Sequence, residues 1–196
     1  VRQSEHRCPG ARGATLIEVA ITLLVLAVGL LGLIRLQGLA RLELFDAAQR
    51  TTASGLARDV LTRVHENRNE LDAYQALGLI RYEAGRELAR DCGAQTCSSH
   101  ERVSFDAYQW HLRLGGLTPL AGADAGPRAD GGLVMGQLCV YHDGGQVGVE
   151  VSWHSAVVEA GEGAVAESAP VCIGEGEGEG DSSRQMMRMV SHVGEW

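Results

Sequence analysis

Arg12-Gly13-Ala14-Thr15-Leu16-Ile17-Glu18-Val19, followed by an apolar run to Ile34, decides how this chain reads. A short polar stretch ends at Gly13 and a hydrophobic segment begins at once. Ala14 to Ile34 is 21 residues, close to the ~20 that a helix needs to cross a bilayer. Glu18 is the only charged residue in it. By insertion scales a charge at the centre of such a helix costs roughly 2.5–3.5 kcal/mol. A carboxylate here therefore calls for a purpose and a partner.

On the N-terminal side, Val1 to Gly13 is polar and basic, with Arg2, Arg7 and Arg12 against Glu5. It has no apolar periodicity and reads as a leader peptide, residues 1–13, outside the fold. In an ordinary secretory signal the apolar core precedes the cut. Here it follows the Gly13 boundary, and the surroundings of Leu31-Gly32-Leu33 offer no small-residue cleavage site. The three arginines favour a cytoplasmic N-terminus; Arg35 and Arg41 on the far side oppose that bias.

On the C-terminal side, no proline occurs between Ala14 and Asn69. The first half of this stretch is apolar all round, as a membrane span is. After Arg35, Leu36, Leu39, Leu42 (with Phe45), Ala48, Leu56, Val60, Leu61 and Val64 recur at threes and fours, the period of an amphipathic helix. Arg41, Glu43, Asp46, Arg50, Arg58, Asp59 and Arg63 fill the other face. The expectation is one helix over 14–69, with 14–34 transmembrane and the remainder packed on a globular domain. Gly29 and Gly32 either permit close helix–helix approach in a membrane or are ordinary packing tolerance.

Residues 70–173 form the expected globular domain. Leu71 to Arg90 has moderate helical periodicity through Tyr74, Leu77, Ile80 and Leu88. Ser98-Ser-His-Glu101 matches a capping box and opens a helix to about Leu114, with Phe105, Tyr108 and Leu112 on one side and Trp110 and Leu114 adjacent. Leu117 to Gly132 is a surface loop by its Gly, Ala, Asp and Pro content. Leu133 to Tyr141, the Asp143-Gly144-Gly145 turn, and the alternation of Val147, Val149, Val151 and Trp153 predict an antiparallel hairpin with one buried face. Val171-Cys172-Ile173 is a candidate third strand. The Gly-Glu run from Gly174 makes 174–196 an acidic, Gly-rich tail expected to be disordered, with a short helix over Arg184 to Trp196.

The chain has 196 residues and a formal net charge of −8, and its 17 basic residues are all arginine. An acidic body with no basic cluster argues against nucleic acid as a partner. Five cysteines are present: Cys8 in the leader, and Cys92, Cys97, Cys139 and Cys172 after the apolar segment. An even set in an exported domain suggests two disulfides, and four cysteines allow three pairings. Local spacing favours Cys92–Cys97 and Cys139–Cys172. Free buried thiols are the alternative, and the spacing is not that of a usual zinc site.

No phosphate loop, nucleophile elbow or paired-histidine zinc motif is present in the sequence, so no catalytic residue, cofactor or metal ligand is singled out. His142 and His154 flank the hairpin and read as surface residues, with a metal site as the weaker reading. Asp106 and the acids of the first helix read as solvated charges. Glu18 stands apart. It is either a stray carboxylate snorkelling to the interface, or the partner of an α-amine created on Ala14 by cleavage after Gly13. Such a pair works as a register device between packed helices, because an unpaired buried charge penalises misplacement.

Gly13-Ala-Thr-Leu-Ile-Glu18-Val and the long apolar helix after it resemble the class III signal of type IV prepilins and pseudopilins. The resemblance implies that prepilin peptidase cuts between Gly13 and Ala14 and N-methylates Ala14, and that Glu18 guides subunit assembly. The chain departs from the family at Ala14, where Phe or Met is usual, and in lacking the helix-kinking proline of major pilins. Three further stretches are similar to PilV-type minor pilins, the type IV pilus modification proteins. These are Gly29-Leu-Leu-Gly-Leu-Ile-Arg-Leu-Gln37, Leu56-Ala-Arg-Asp-Val-Leu-Thr-Arg-Val-His-Glu-Asn-Arg68, and Phe105-Asp-Ala-Tyr-Gln-Trp110. Cys97-Ser98 and the late Val-Glu-Val-Ser-Trp153 strand agree, so the likeness covers most of residues 8–173. It implies an α+β pilin-like fold, a long N-terminal helix packed on a small antiparallel β-sheet. It also implies a non-enzymatic subunit with a periplasmic domain, held in the bacterial inner membrane and then in the pilus fibre. Its partners would be prepilin peptidase and the N-terminal helices of other major and minor pilins, in pilus assembly with adhesion or motility. A type II secretion pseudopilin of the I or J type shares the same N-terminal physics. A membrane-anchored periplasmic binding protein or enzyme with an uncleaved helix is the reading from another class.

Overall fold

The computed structural model describes residues 15–118, 128–129, 131–155 and 184–193. The fold is α+β: a long N-terminal helix and a four-stranded antiparallel sheet in a pilin-like arrangement. The chain divides into two compact units, Val1–Arg41 and Leu42–Trp196.

Helix α1 runs Leu16–Glu66, 51 residues without a break, and a 3-10 turn follows at Arg68–Glu70. Within the second unit its buried face is Asp46, Gln49, Ala53, Leu56, Ala57, Val60 and Val64. The steps of three and four between them are those of one helical face. Leu36, Leu39, Leu42, Phe45 and Ala48, expected on that face, are exposed. Burial starts at Asp46, ten residues later than the apolar pattern suggested: Leu36 and Leu39 lie in the first unit, and Leu42 and Phe45, at the start of the second, stay exposed.

Leu71–Ala76 is helix α2. The helical periodicity expected to Arg90 does not persist: Gly78 takes φ +61, Ile80–Arg81 forms the short strand β1, and no helix covers 82–98. A left-handed residue at this position ends a helix as a glycine cap does. Helix α3, Ser99–Leu114, begins with the expected capping box. Ser98 Oγ accepts from the Glu101 amide and the Glu101 side chain accepts from the Ser98 amide. The core face of α3 is Val103, Ala107, Trp110 and Leu114. Phe105 and Tyr108, expected to lead it, are only half-buried, since they fall outside the 103/107/110/114 stripe.

Leu117–Thr118 (β2) and Arg128–Ala129 (β3) pair as a two-residue ladder inside the stretch read as a loop. The main sheet has the order β1-β4-β5-β6, with β4 at Gln137–Asp143, β5 at Gln146–His154 and β6 at Arg184–His192. β4 starts four residues later than expected, because Leu133–Gly136 closes a turn through Gly136 N–H to Leu133 O, with Met135 at φ 48. The hairpin is as read: Asp143 pairs with Gln146, and Gly144 and Gly145 take φ +54 and +81. Two consecutive positive φ values define a type I′ turn, whose twist matches the strands it joins.

Val147, Val149, Val151 and Trp153 enter the core with Leu138 and Val140. The opposite face of β5 is covered too, contrary to the single buried face expected: Glu150 and Ser152 are each 2 % exposed. Arg188 and Arg184 of β6 reach across them, and Tyr141 lies where a side chain at Gly148 would stand. The strand β6 itself corrects the expectation of a disordered tail ending in a helix. Met187 and Met189 alternate inward against the core while Met186 and Val190 face out, a period of two that makes a strand. The candidate strand at Val171–Ile173 and the Gly-Glu run lie outside the described residues.

Candidate functional site

The site residues fall into an N-terminal segment and a set of polar ties inside the second unit. Thr15 opens α1: its carbonyl accepts from the Glu18 amide at 3.0 Å and the Val19 amide at 3.2 Å, and its Oγ1 lies 3.4 Å from the Glu18 amide. Glu18 is thereby placed in the first turn, where the helix dipole favours a carboxylate. It is exposed, as are the apolar residues that follow it; Leu16 is 91 % exposed and Ile34 64 %. The helix is long and apolar enough to cross a membrane, with a mean hydropathy of 2.6 over its most apolar stretch and none of that stretch buried. Gly13 and Ala14 lie outside the described residues, so Glu18 is the expected N-terminal site residue that the structure places.

The second unit is tied to its part of α1 by charges that the sequence pattern places on solvated faces. Asp106, 2 % exposed, accepts from Arg63 Nη1 at 2.7 Å and from the Tyr74 hydroxyl at 2.7 Å. Asn67 Nδ2 donates to the Tyr74 hydroxyl and to the Ser99 carbonyl. Asp59 Oδ2 accepts from Arg63 Nε at 3.0 Å and Trp110 Nε1 at 3.2 Å, and pairs with Arg113 at 2.9 Å. Arg63 thus bridges two carboxylates, one on its own helix and one on α3. Burial pulls the Arg63 guanidinium down, but the hydrogen bonds and charges of Asp106 and Asp59 outweigh it and hold it above its ordinary value. Burial, then the Asp106 hydrogen bond, push the Tyr74 phenol well above its ordinary range.

A second tie lies earlier on α1. Gln49 Nε2 donates to the Gly132 carbonyl at 2.9 Å and Gln49 Oε1 accepts from the Val134 amide at 2.9 Å. Asp46 accepts from Ser155 Oγ at 2.7 Å and Arg50 Nε at 2.9 Å. Both residues sit on the buried face at the point where it begins. Their only sequence signal was that they fall in register with Ala53 and Leu56, a signal masked by their polarity.

Of the four cysteines, Cys92 and Cys97 are joined, with Cα atoms 5.5 Å apart. Cys139 is also disulfide-bonded; its expected partner, Cys172, lies outside the described residues. His142 and His154 are not brought together. His142 Nε2 lies 2.9 Å from Asp72 of α2, at the end of the sheet opposite His154. No group of three metal-ligating side chains occurs among the described residues. His111 is 1 % exposed at the end of α3, stacked on Tyr82 and donating through Nδ1 to the Tyr108 carbonyl. Its burial lowers its pKa.

The class these features define is an α+β protein with a membrane-capable N-terminal helix and a small domain held to that helix by buried polar ties. No protein-family model matches the chain, and no curated protein or solved structure matches it.

Proposed function

We propose that this chain is the precursor of a minor type IV pilin of the PilV type. Prepilin peptidase cuts it after Gly13 and methylates Ala14. Ala14–Ile34 holds it in the bacterial inner membrane with its domain in the periplasm. It then enters the pilus at low copy, where it supports assembly or modification of the fibre and has no enzymatic activity of its own.

One observation carries this reading. Glu18 occupies the first turn of an unbroken helix whose next turns expose apolar side chains all round. Burying each such side chain stabilises by roughly 1.5–3 kcal/mol, so the segment needs lipid or other helices around it. A carboxylate within one turn of the processing site would meet an α-amine, its own or a neighbour's, only after cleavage.

Intact-mass and N-terminal sequencing of the membrane-extracted protein, for wild type, Gly13→Leu and Glu18→Ala, test the proposal. Wild type should begin at methylated Ala14, Gly13→Leu should keep its leader, and Glu18→Ala should be cut but absent from sheared fibres. An intact leader on the wild-type protein would replace this reading with a plain membrane anchor.

A further inference from the structure

The disulfide-bonded cysteines of the second unit stand in two different surroundings. Cys139 is 1 % exposed in β4, and its Sγ lies 3.8 Å from Oε2 of the buried Glu150. Burial keeps a thiol nucleophile from that sulfur. A thiolate expelled there would be buried beside a carboxylate oxygen, which disfavours it. Cys92 and Cys97 are half-buried, and the residues of the loop they close, Gly93 to Thr96, are all exposed. Exposure of this kind marks the disulfides that exchange.

The same loop meets the ties that hold α1. A cleft of about 340 Å³ lies between α1 and α3, and Cys92 and Phe105 line it together with Asp59, Arg63 and Asp106. These last three are the charges that join α1 to α3. At its other end the loop runs from Cys97 straight into Ser98, the N-cap of α3. One covalent bond therefore fixes both a wall of the cleft and the entry into α3. Charges attract less strongly as water reaches them, so the wall at Cys92 bears on the strength of the Arg63–Asp106 pair.

We propose that Cys92–Cys97 is an exchangeable disulfide, opened by a dithiol reductant, whose state sets how firmly α3 holds its part of α1. One thiolate of the reductant attacks a sulfur of the pair, and the sulfur–sulfur bond breaks. A mixed disulfide forms, and the other cysteine leaves as a thiolate that takes up a proton. The second thiolate of the reductant then attacks the reductant's own sulfur in the mixed disulfide and expels the remaining cysteine, which is protonated in turn. Two electrons and two protons have passed to Cys92 and Cys97, and the reductant departs as its disulfide. With the loop open, water enters the cleft beside Arg63 and Asp106, and the first turn of α3 loses a restraint. Cys139 keeps its bond under the same conditions.

The test equilibrates the full chain in detergent micelles with dithiothreitol at a series of reduced-to-oxidised ratios. Free thiols are trapped by alkylation and located by mass spectrometry. Cys92 and Cys97 should be half alkylated at a ratio about tenfold lower than Cys139. At a ratio that opens only this pair, amide hydrogen exchange should quicken about threefold at Arg102 and at Asn67. The first amide closes the first turn of α3 on the Ser98 carbonyl, and the second closes the end of α1 on the Arg63 carbonyl. Cys92→Ser/Cys97→Ser should show the quicker exchange at every ratio, which separates the bond from other effects of the reductant. Opening of Cys139 at the same ratio or a lower one would overturn the proposal. So would unchanged exchange at Arg102 and Asn67 once the pair is open. Leader processing does not enter the readout, so this outcome and that of the N-terminal test are independent.

Discussion

Arg63 of α1 and Asp106 of α3 form an ion pair at 2.7 Å with Asp106 almost wholly buried. The pair joins the long helix to the helix that carries Trp110, and Asp106 also receives the Tyr74 hydroxyl. Removing Asp106 leaves Arg63 with Asp59 alone and the buried Tyr74 hydroxyl without its acceptor, which costs more than the pair contributes. Asp106→Ala should therefore destabilise the domain by roughly 3 kcal/mol, and Asp106→Asn, which keeps the shape and one acceptor, by less. Urea unfolding of the full chain in micelles measures both. Equal midpoints for Asp106→Ala and wild type would remove the tie from the account.

Glu150 and Arg188 do the same between β5 and β6, with Arg188 Nε donating to Glu150 Oε1 at 2.8 Å. The ladder places these two residues directly opposite, and a slip of one residue would turn Met187 and Met189 out of the core. Arg188→Ala removes the ion-pair partner of a buried carboxylate, and roughly 3–5 kcal/mol of destabilisation follows. The double variant Glu150→Gln/Arg188→Met should recover much of it. Faster hydrogen exchange through β6 in the single variant, reversed in the double, is the expected pattern.

His111 sets an acid limit on stability. Its pKa in the fold is lowered by burial, so the unfolded chain binds the proton more readily. The stabilising contribution of neutral His111 is fully present above the unfolded value of about 6.5 and is lost as pH falls below it toward the lowered folded value. Melting temperature measured from pH 7.5 down to pH 5 should fall in wild type, and fall less in His111→Phe. Parallel curves for the two proteins would assign the acid sensitivity elsewhere.

The N-terminus of α3 is held twice, by the capping box at Ser98 and Glu101 and by the Cys92–Cys97 disulfide just before it. Arg90 closes the same loop by pairing with Glu101 at 2.6 Å. Ser98→Ala removes the cap and should cost about 1 kcal/mol. Opening Cys92–Cys97, a short loop, with the double variant Cys92→Ser/Cys97→Ser, which leaves the Cys139 disulfide in place, should cost about 2 kcal/mol. Because both act on the first turn of α3, their effects on urea unfolding in the combined Ser98→Ala/Cys92→Ser/Cys97→Ser protein should depart from additivity.

The amino-acid sequence by itself determined what depends on neighbours along the chain. The apolar run from Ala14, the charge at Glu18, the capping box at Ser98, the Gly144-Gly145 turn and the alternation from Val147 to Trp153 are each specified within a few residues. Local backbone preference and hydrophobic period suffice for these, and the short Cys92–Cys97 spacing belongs with them.

Tertiary structure decided which polar residues are inside. Asp46, Gln49, Asp106 and Glu150 carry no mark in the sequence that separates them from solvated neighbours. Each is buried because a partner distant along the chain (Ser155, Gly132, Arg63 or Arg188) meets it there. The same holds for β6, whose Met-rich run reads as a helix until β5 offers it a ladder. A buried polar group is stable only when its hydrogen bonds are made, and those bonds exist only once the elements have packed. Leu36 to Phe45 show the converse: their period promises a core contact, but the second unit begins burying α1 only at Asp46.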